Sequence, residues 1–205
     1  MIRTKICGIT RAEDIALCAE VGVDAIGLVF VEKSPRYVST DQAAMLVREA
    51  PPFVTRVGLF MNAEAEQVED VLARVAIDVL QFHGNESAAF CKQFSRPWIK
   101  ALALNRSDDQ TFAEYAEADA LLLDAHAGST MGGSGESFDW SAIPDLPRPW
   151  ILAGGLNPDN VAEACRIARP HAVDVSSGVE SRPGIKNDSL VQRFFNAVNE
   201  EVIDG

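Results

Sequence analysis

Residues 150–158, with the sequence WILAGGLNP, join an apolar run, a pair of glycines and an Asn-Pro pair. A short apolar run without polar alternation is typical of a strand covered on both faces of a parallel sheet. Gly154 and Gly155 predict a tight turn, and Asn157 followed by Pro158 predicts the N-cap and first residue of a helix. The stretch therefore predicts the junction between a parallel strand and the helix that follows it.

The same arrangement recurs along the chain. The runs predicted as strands are Arg3–Cys7, 24–30, 54–60, 77–82, Trp98–Ala103, Ala120–Asp124, Trp150–Ala153 and 172–176. The clearest helix signal between them is an apolar stripe at i, i+3, i+4 and i+7 from Val68 to Val75, with Asn62 upstream as a cap. Thr10 and Glu13 predict a capping box at the start of the first helix.

Eight strand–helix units in 205 residues leave about 25 residues for each unit and favour a closed (β/α)8 TIM barrel, an α/β fold. An open doubly wound sheet is the alternative, and it would carry a GxGxxG turn where this chain has Cys7-Gly8-Ile9-Thr10. No Pro-rich or Ser-rich linker divides the chain, so we expect a single domain over residues 1–205. In such a barrel the chemistry lies at the carboxyl ends of the strands.

Charge and cysteine usage exclude several classes of function. The chain has 30 acidic and 18 basic residues, a net charge of -12, and such a field repels nucleic-acid phosphates and anionic lipid. Its longest apolar runs are far shorter than the roughly 20 residues of a membrane span. Four widely spaced cysteines without a CxxC pair indicate neither a disulfide scaffold nor a structural zinc. We therefore expect a cytoplasmic protein without nucleic-acid or membrane partners.

Polar and glycine residues follow the apolar runs, and the last two runs are the most informative. Gly154-Gly155 and Ser176-Ser177-Gly178 stand at the ends of adjacent predicted strands, where their backbone N–H groups become available to an anion. Barrels commonly bind phosphate after strands seven and eight. The sequence therefore predicts a phosphate site here, although such glycines can also serve only to allow tight turns.

Six motifs stand at these strand ends, in one order along the chain. They are KICGIT at 5–10, SPRY at 34–37, QFHG at 81–84, GGSG with FDW at 132–140, AGGLNP at 153–158 and VDVSSGVE at 173–180. Together they resemble the phosphoribosylanthranilate isomerase family of tryptophan biosynthesis, in register from residue 5 to about residue 184. The resemblance implies a (β/α)8 barrel and an Amadori rearrangement of N-(5-phosphoribosyl)anthranilate to the 1-deoxyribulose form. It also implies an aldose–ketose isomerase without cofactor or metal.

The resemblance places the catalytic base on Cys7 and the catalytic acid on Asp124. Cys7 precedes the helix that Thr10 is expected to cap, and the positive end of that helix dipole would favour the thiolate. Asp124 ends an apolar run, where burial would raise its pKa and keep a proton available. The alternatives are a cysteine that only fills the core and a carboxylate that only pairs with a basic neighbour or caps a turn.

The same resemblance places the substrate on further residues. Arg36 would bind the anthranilate carboxylate, because a guanidinium matches a carboxylate through two hydrogen bonds, and the alternative is a solvated surface arginine. Asp174 would bond the sugar hydroxyls or play a structural part. His83 would line the site or bond a loop carbonyl, and we assign it no firm role.

Phosphate contacts are expected from two loops after strands seven and eight and from one earlier loop. The residues concerned are Gly133, Gly135, Gly154, Gly155, Ser176, Ser177 and Gly178. The earlier loop departs from the family pattern, because Glu136-Ser137 stands where Lys-Thr is usual before the Phe-Asp-Trp motif. Glu136 adds a negative charge near the expected phosphate, so we rely on the two later loops.

Other phosphate-binding barrels remain alternatives. The indole-forming synthase of the same pathway has this fold, but it requires lysines at strand ends, whereas Lys100 lies in mid-strand and Lys5 lies two residues inside the first strand. A non-catalytic barrel that binds a phosphorylated metabolite would keep the phosphate loops and lack one member of the acid–base pair. Both Cys7 and Asp124 are present.

A thiol hydrolase is an alternative from another class. It would pair Cys7 with His83, His126 or His171, and no oxyanion-hole motif accompanies them.

The family resemblance implies that the partner is the small molecule phosphoribosylanthranilate. The sequence leaves open whether the protein is a monomer or a homodimer.

Overall fold

A computed structural model describes residues 1–103, 107–124, 140, 143, 146 and 149–200. Its core is a closed barrel of eight parallel strands in sequential order, and β1 pairs with β8 to complete the ring. The strands are β1 (Arg3–Cys7), β2 (Ala25–Val29), β3 (Thr55–Phe60), β4 (Val79–Phe82), β5 (Trp98–Ala103), β6 (Ala120–Asp124), β7 (Trp150–Ala153) and β8 (Ala172–Val175). The predicted barrel is confirmed, with each strand within two residues of its predicted bounds.

Seven described helices alternate with these strands. They are α1 (Ala12–Val21), α2 (Thr40–Leu46), α3 (Ala65–Arg74), α4 (Ala88–Lys92), α5 (Asp109–Glu114), α6 (Val161–Ala168) and α7 (Asp188–Glu200). A 3-10 turn at Ser177–Val179 leads from β8 into a short antiparallel hairpin of β9 (Glu180–Arg182) and β10 (Ile185–Lys186). No helix in the described part of the chain is long and apolar enough to cross a bilayer.

Strand residues alternate between the barrel interior and the helix layer. Ile99, Ala101, Leu122, Ile151 and Ala153 form an interior cluster, while their sequence neighbours pack outward against the helices. Because both faces are covered, most of the strand residues are apolar, as the sequence predicted. Charged residues inside such strands are therefore buried and must find partners within the fold.

The predicted start of the first helix is wrong. Arg11 occupies the N-cap position of α1 without a side-chain cap. The Thr10 hydroxyl instead donates to the Gly184 carbonyl at 2.5 Å, 174 residues away along the chain. Thr10 thus joins the β1–α1 turn to the β9–β10 hairpin and forms no capping box.

Two other predicted caps are also wrong, because the asparagine side chains bond other backbone groups instead. Helix α6 begins three residues late, after Asn160, since the Asn157 side chain accepts from Asp159 N at 2.8 Å and closes a turn. Helix α3 follows Glu64, whereas Asn62 lies in the left-handed region at φ 52° and its side chain accepts from Asn85 N at 2.7 Å.

Candidate active site

A cavity of about 410 Å³ opens at the carboxyl ends of the strands. Its size falls within the usual range of small-molecule sites, about 300 to 1,000 Å³. The predicted site residues that line it are Cys7, Arg36, His83, Asp124, Gly154, Gly155, Asp174, Ser176 and Ser177. The fold thus brings together side chains from both ends of the chain at the place where barrels perform chemistry.

Other predicted site residues are not in the cavity lining. Gly178 packs behind it, against the backbone of the β7–α6 loop. Gly133 and Gly135 lie outside the described residues, as do Glu136 and His126.

Cys7 ends β1 and points into the barrel with 6% of its surface exposed. It pairs in register with Gly27, and a side chain at that glycine would come within 2.8 Å of the Cys7 sulfur. Burial raises the pKa of the Cys7 thiol, although the nearby Lys5 and Lys186 favour the thiolate. The expectation that a helix dipole makes Cys7 an easily ionised thiol is therefore wrong: desolvation outweighs the positive charges around it.

Lys5 and Asp174 form a buried ion pair beneath Cys7. Lys5 lies two residues before Cys7 on β1, and its Nζ donates to Asp174 Oδ1 on β8 at 2.8 Å. Burial would lower the pKa of Lys5, but Asp174 and Cys7 together hold it above its usual value. Lys5 is thus a fixed positive charge near the sulfur, while Asp174 reaches the cavity with one oxygen already bonded.

His83 connects Asp124 to the wall of the barrel. His83 Nε2 lies 3.4 Å from Asp124 Oδ2, and His83 Nδ1 lies 3.2 Å from the Gln81 side-chain nitrogen. When that amide donates, His83 Nδ1 accepts and Nε2 carries the proton towards Asp124. Gln81 is fully buried in the cavity wall, and its side-chain oxygen has no hydrogen-bond partner among the described residues.

A second buried ion pair fixes the loops on either side of His83. Lys100 Nζ donates to Glu86 Oε2 and to the Gly84 carbonyl, both at 2.7 Å. The Glu86 carboxylate also accepts from Asn62 N at 2.6 Å and from Gly84 N at 2.9 Å. Lys100 is therefore occupied in the helix layer, in agreement with its mid-strand position in the sequence.

Arg36 reaches the cavity rim but is already paired. Its Nε and Nη2 donate to the two oxygens of Glu180 at 2.8 and 2.7 Å. The stem of Arg36 lies against Gly8, where a Cβ atom would come within 2.4 Å of Arg36 Cδ. Gly8 also has φ 77°, so both close approach and backbone conformation require glycine there.

The loops after β7 and β8 have the backbone geometry of an anion site. Gly154 and Gly155 follow β7 with φ of 90° and 68°, and Ser176 and Ser177 begin the 3-10 turn after β8. Turns of this kind direct N–H groups towards an anion. The Ser176 hydroxyl donates to the Cys7 carbonyl at 3.0 Å, which ties the end of this turn to the end of β1.

Sequence reasoning missed Lys5, Gln81, Glu180 and Lys186 as site residues. Lys5, Gln81 and Glu180 lie within the quoted motifs. Lys5, Glu180 and Lys186 nevertheless bond partners that are 144 to 179 residues away along the chain. For Lys5 and Gln81 the available signal was a charged or amide residue within an apolar strand run, because such a group must find a buried partner. Glu180 and Lys186 lie after the last predicted strand and carried no such signal. Within the described residues, no group of three or more His, Cys, Asp or Glu side chains could hold a metal ion.

A family model and several proteins are similar in sequence to this chain. The N-(5'-phosphoribosyl)anthranilate (PRA) isomerase family model matches residues 4–197. A protein of Acidithiobacillus ferrooxidans named N-(5'-phosphoribosyl)anthranilate isomerase is 53% identical over 200 residues, covering 97% of this chain and 98% of the relative. A namesake from Pseudomonas fluorescens is 52% identical, covering 96% and 95%.

Solved structures of phosphoribosyl anthranilate isomerases are also similar to this chain. Phosphoribosyl anthranilate isomerase from Thermotoga maritima has a TM-score of 0.89 and 42% identity, covering 98% of this chain and all of that one. A phosphoribosyl anthranilate isomerase in complex with reduced 1-(o-carboxyphenylamino)-1-deoxyribulose 5-phosphate has a TM-score of 0.84 and 40% identity, with the same coverage. The chain therefore belongs to the N-(5'-phosphoribosyl)anthranilate isomerase family.

Proposed function

We propose that the protein converts N-(5'-phosphoribosyl)anthranilate into 1-(2-carboxyphenylamino)-1-deoxyribulose 5-phosphate in tryptophan biosynthesis. The observation that carries this proposal is the cavity, which a thiol from β1 and a carboxyl group from β6 both line. Anion-type turns after β7 and β8 and an arginine after β2 line the same space. These groups supply what the reaction and its substrate require: an acid, a base, a site for the phosphate and a site for the carboxylate.

Asp124 is the proposed acid. The reaction begins when a proton is delivered to the ring oxygen of the aminofuranose, which breaks the bond between that oxygen and C1 and leaves a Schiff base. The contact with His83 Nε2 at 3.4 Å orients the Asp124 carboxyl group and stabilises the carboxylate formed once its proton has left. His83 is thus a positioning residue in this proposal.

Cys7 is the proposed base. Its thiolate removes the proton at C2, the C2 electron pair forms a double bond to C1, and the Schiff-base nitrogen accepts the displaced pair to give the enolamine. Burial makes the thiolate scarce, but it also makes each thiolate a stronger proton acceptor, since the neutral thiol is the favoured product. Lys5 and Lys186 stabilise the thiolate while it awaits the substrate.

The remaining predicted residues bind the substrate in this proposal. Arg36 binds the anthranilate carboxylate, and the second carboxylate oxygen of Asp174 faces the sugar hydroxyls. The loops that carry Gly154-Gly155 and Ser176-Ser177 supply backbone N–H groups to the phosphate. Gly178 acts indirectly, because it allows those two loops to approach each other.

The proposed roles are tested by Cys7→Ala and Asp124→Asn. Each should lower kcat by at least about a hundredfold, the usual contribution of a placed acid or base. Cys18→Ala is the matched control, since Cys18 is an equally buried thiol on α1 that packs only in the core. Turnover of phosphoribosylanthranilate is followed by fluorescence, and a near-normal kcat in either site variant would remove that residue from the mechanism.

We further propose a homodimer acting in the cytoplasm as one barrel domain without cofactor. A phosphoribosylanthranilate isomerase from Thermotoga maritima is named as dimeric. All four cysteines are free thiols, which suits a reducing compartment. The match to the family over residues 4–197 supports one domain.

A further inference from the structure

Two charged side chains of the β9–β10 hairpin are buried next to the active-site cavity, and the proposed acid–base mechanism uses neither as acid or base. The Glu180 side chain is 4% exposed and the Lys186 side chain is fully buried. Charges buried to this extent persist only when they are paired and hydrogen-bonded. Their partners therefore indicate what they do.

Lys186 uses its three donor protons on three acceptors. Its Nζ lies 2.6 Å from the Cys7 carbonyl, 3.2 Å from the Ser176 carbonyl and 2.9 Å from Glu180 Oε1. The first acceptor is the last residue of β1, which carries the proposed base, and the second directly follows β8, in one of the proposed phosphate loops. Lys186 thus holds Glu180 in place relative to the backbone of Cys7 and Ser176.

Glu180 in turn fixes Arg36. Its two oxygens accept from Arg36 Nε and Nη2. These two nitrogens form one side edge of the planar guanidinium group. Burial alone would raise the pKa of Glu180, but the hydrogen bonds from Arg36 and Lys186 hold it below its usual value, so the carboxylate stays charged. Glu180 Oε1 also accepts from Gly184 N at 3.3 Å, within the same hairpin.

A guanidinium has a second edge, formed by Nη1 and Nη2, that can also hold a carboxylate through two hydrogen bonds. Nη1 of Arg36 has no hydrogen-bond partner among the described residues. Two cations and one anion leave the Arg36–Glu180–Lys186 group with one net positive charge. That surplus charge is at the cavity rim, since Lys186 is enclosed and Arg36 lines the cavity.

We infer that Glu180, held by Lys186, is a positioning residue that orients the guanidinium of Arg36 so that its end edge receives the substrate carboxylate. The inference rests on the proposed function, in which Arg36 binds the anthranilate group. It makes Glu180 a determinant of specificity for substrates that carry an ortho-carboxylate. Without Glu180, Arg36 keeps its charge but loses its fixed direction.

Glu180→Gln tests the inference with little change of shape. The new amide places donors against Arg36 Nη2, so the paired edge is lost. We expect KM to rise roughly tenfold or more, the effect of one lost hydrogen bond to a charged group, while kcat changes less than about threefold. An unchanged KM, or a loss in kcat alone, would overturn the inference.

Two competitive inhibitors separate orientation from general damage. One is reduced 1-(o-carboxyphenylamino)-1-deoxyribulose 5-phosphate, and the other is the same compound without the carboxylate. The unaltered protein should prefer the first, and Glu180→Gln should lose most of that preference while binding the second as before. Equal weakening of both inhibitors would mean that Glu180 only supports the fold, and the inference would fail.

A double-mutant cycle tests whether Glu180 acts through Arg36. In an Arg36→Met background, Glu180→Gln should change inhibitor binding no further, whereas additive effects would contradict the inference. Asp78→Asn is the matched control, because Asp78 pairs with Nε and Nη2 of Arg56 in the same geometry at the amino end of the barrel. That variant should leave the preference for the carboxylate unchanged.

A measurement on the unaltered protein covers the case in which Glu180→Gln does not fold. The Arg36 Nε–H resonance, assigned by its loss in Arg36→Lys, should exchange with water at least about tenfold more slowly than that of the exposed Arg166. Equally fast exchange would overturn the inference. If the unaltered protein fails to turn over phosphoribosylanthranilate, the proposed function falls and the inference falls with it; an active protein with an unchanged Glu180→Gln KM overturns the inference alone.

Discussion

Gly178→Ala should separate the two loops that form the proposed phosphate site. A Cβ atom at Gly178 would lie 1.9 Å from the Leu156 carbonyl oxygen, 3.0 Å from the Leu156 carbonyl carbon and 3.1 Å from Asn157 Cα. All three are backbone atoms, so no side-chain rotation can relieve the clash. Ordinary contact begins at 3.4 Å, and the Leu156 carbonyl must therefore retreat by about 1.5 Å (3.4 minus 1.9).

A movement of that size should weaken the proposed phosphate site. Leu156 directly follows Gly154-Gly155, while Gly178 directly follows Ser176-Ser177, so the clash moves one set of N–H groups away from the other. Misplacement by about 1 Å can cost about a hundredfold, and one lost hydrogen bond to a charged group costs about 1.5 to 3 kcal/mol. We expect KM to rise about tenfold to a hundredfold.

The assay compares the reduced product analogue with its dephosphorylated form. In the unaltered protein the phosphate should strengthen inhibition, and in Gly178→Ala most of that advantage should disappear. Gly22→Ala is the control, because Gly22 also has a positive φ, 94°, but lies after α1 at the amino end of the barrel. It should lower stability and leave the phosphate advantage intact; an intact advantage in Gly178→Ala would refute the loop-contact argument.

The pH profile and the second ion pair give two further predictions. Because burial raises the pKa of Cys7 above the usual thiol value near 8.5, the rate at which iodoacetamide alkylates Cys7 should rise about tenfold per pH unit from pH 7, with no plateau below about pH 8.5. Mass spectrometry measures that rate, and a plateau by pH 7.5 would show that the Cys7 thiol ionises easily. Glu86→Gln should lower the free energy of unfolding by about 3 to 5 kcal/mol, since it leaves Lys100 buried without its charge partner. Burial would raise the pKa of Glu86, but bonds from Lys100 and Asn62 hold it below its usual value. Its contribution should thus be present above about pH 4.5 and be lost at lower pH, and equal unfolding free energies at pH 7 would contradict this.

Strand positions could be predicted because they depend on a local property. A strand covered on both faces is mostly apolar along its length, and eight such runs can be read directly from the sequence. Strand ends follow in turn, and with them the site residues, because parallel strands in a barrel all end at one face. Cys7 and Asp124 are thus predicted to meet although 117 positions (124 minus 7) separate them, and both line the cavity.

Helix starts could not be predicted as well, because a polar side chain can choose between near and distant partners. Thr10 has the spacing of a capping box, yet its hydroxyl bonds the Gly184 carbonyl, 174 positions away along the chain. Asn157 has the setting of an N-cap, yet it closes its own turn, and α6 begins only at Val161. Local spacing carries no information about such choices.

Electrostatics at Cys7 show why residue roles need both sequence and structure. The sequence favoured a thiol that ionises easily, whereas the folded protein surrounds it with apolar walls and two lysines and leaves its pKa raised. These two conditions suit different steps: a low pKa would supply more thiolate, but a raised pKa makes the thiolate a better acceptor for a carbon-bound proton. An isomerase that must remove such a proton gains from the second condition if fixed positive charges still allow the thiolate to form. Lys5, bound to Asp174, and Lys186, bound to Glu180, supply those charges without competing for the proton, since each already donates to its own carboxylate.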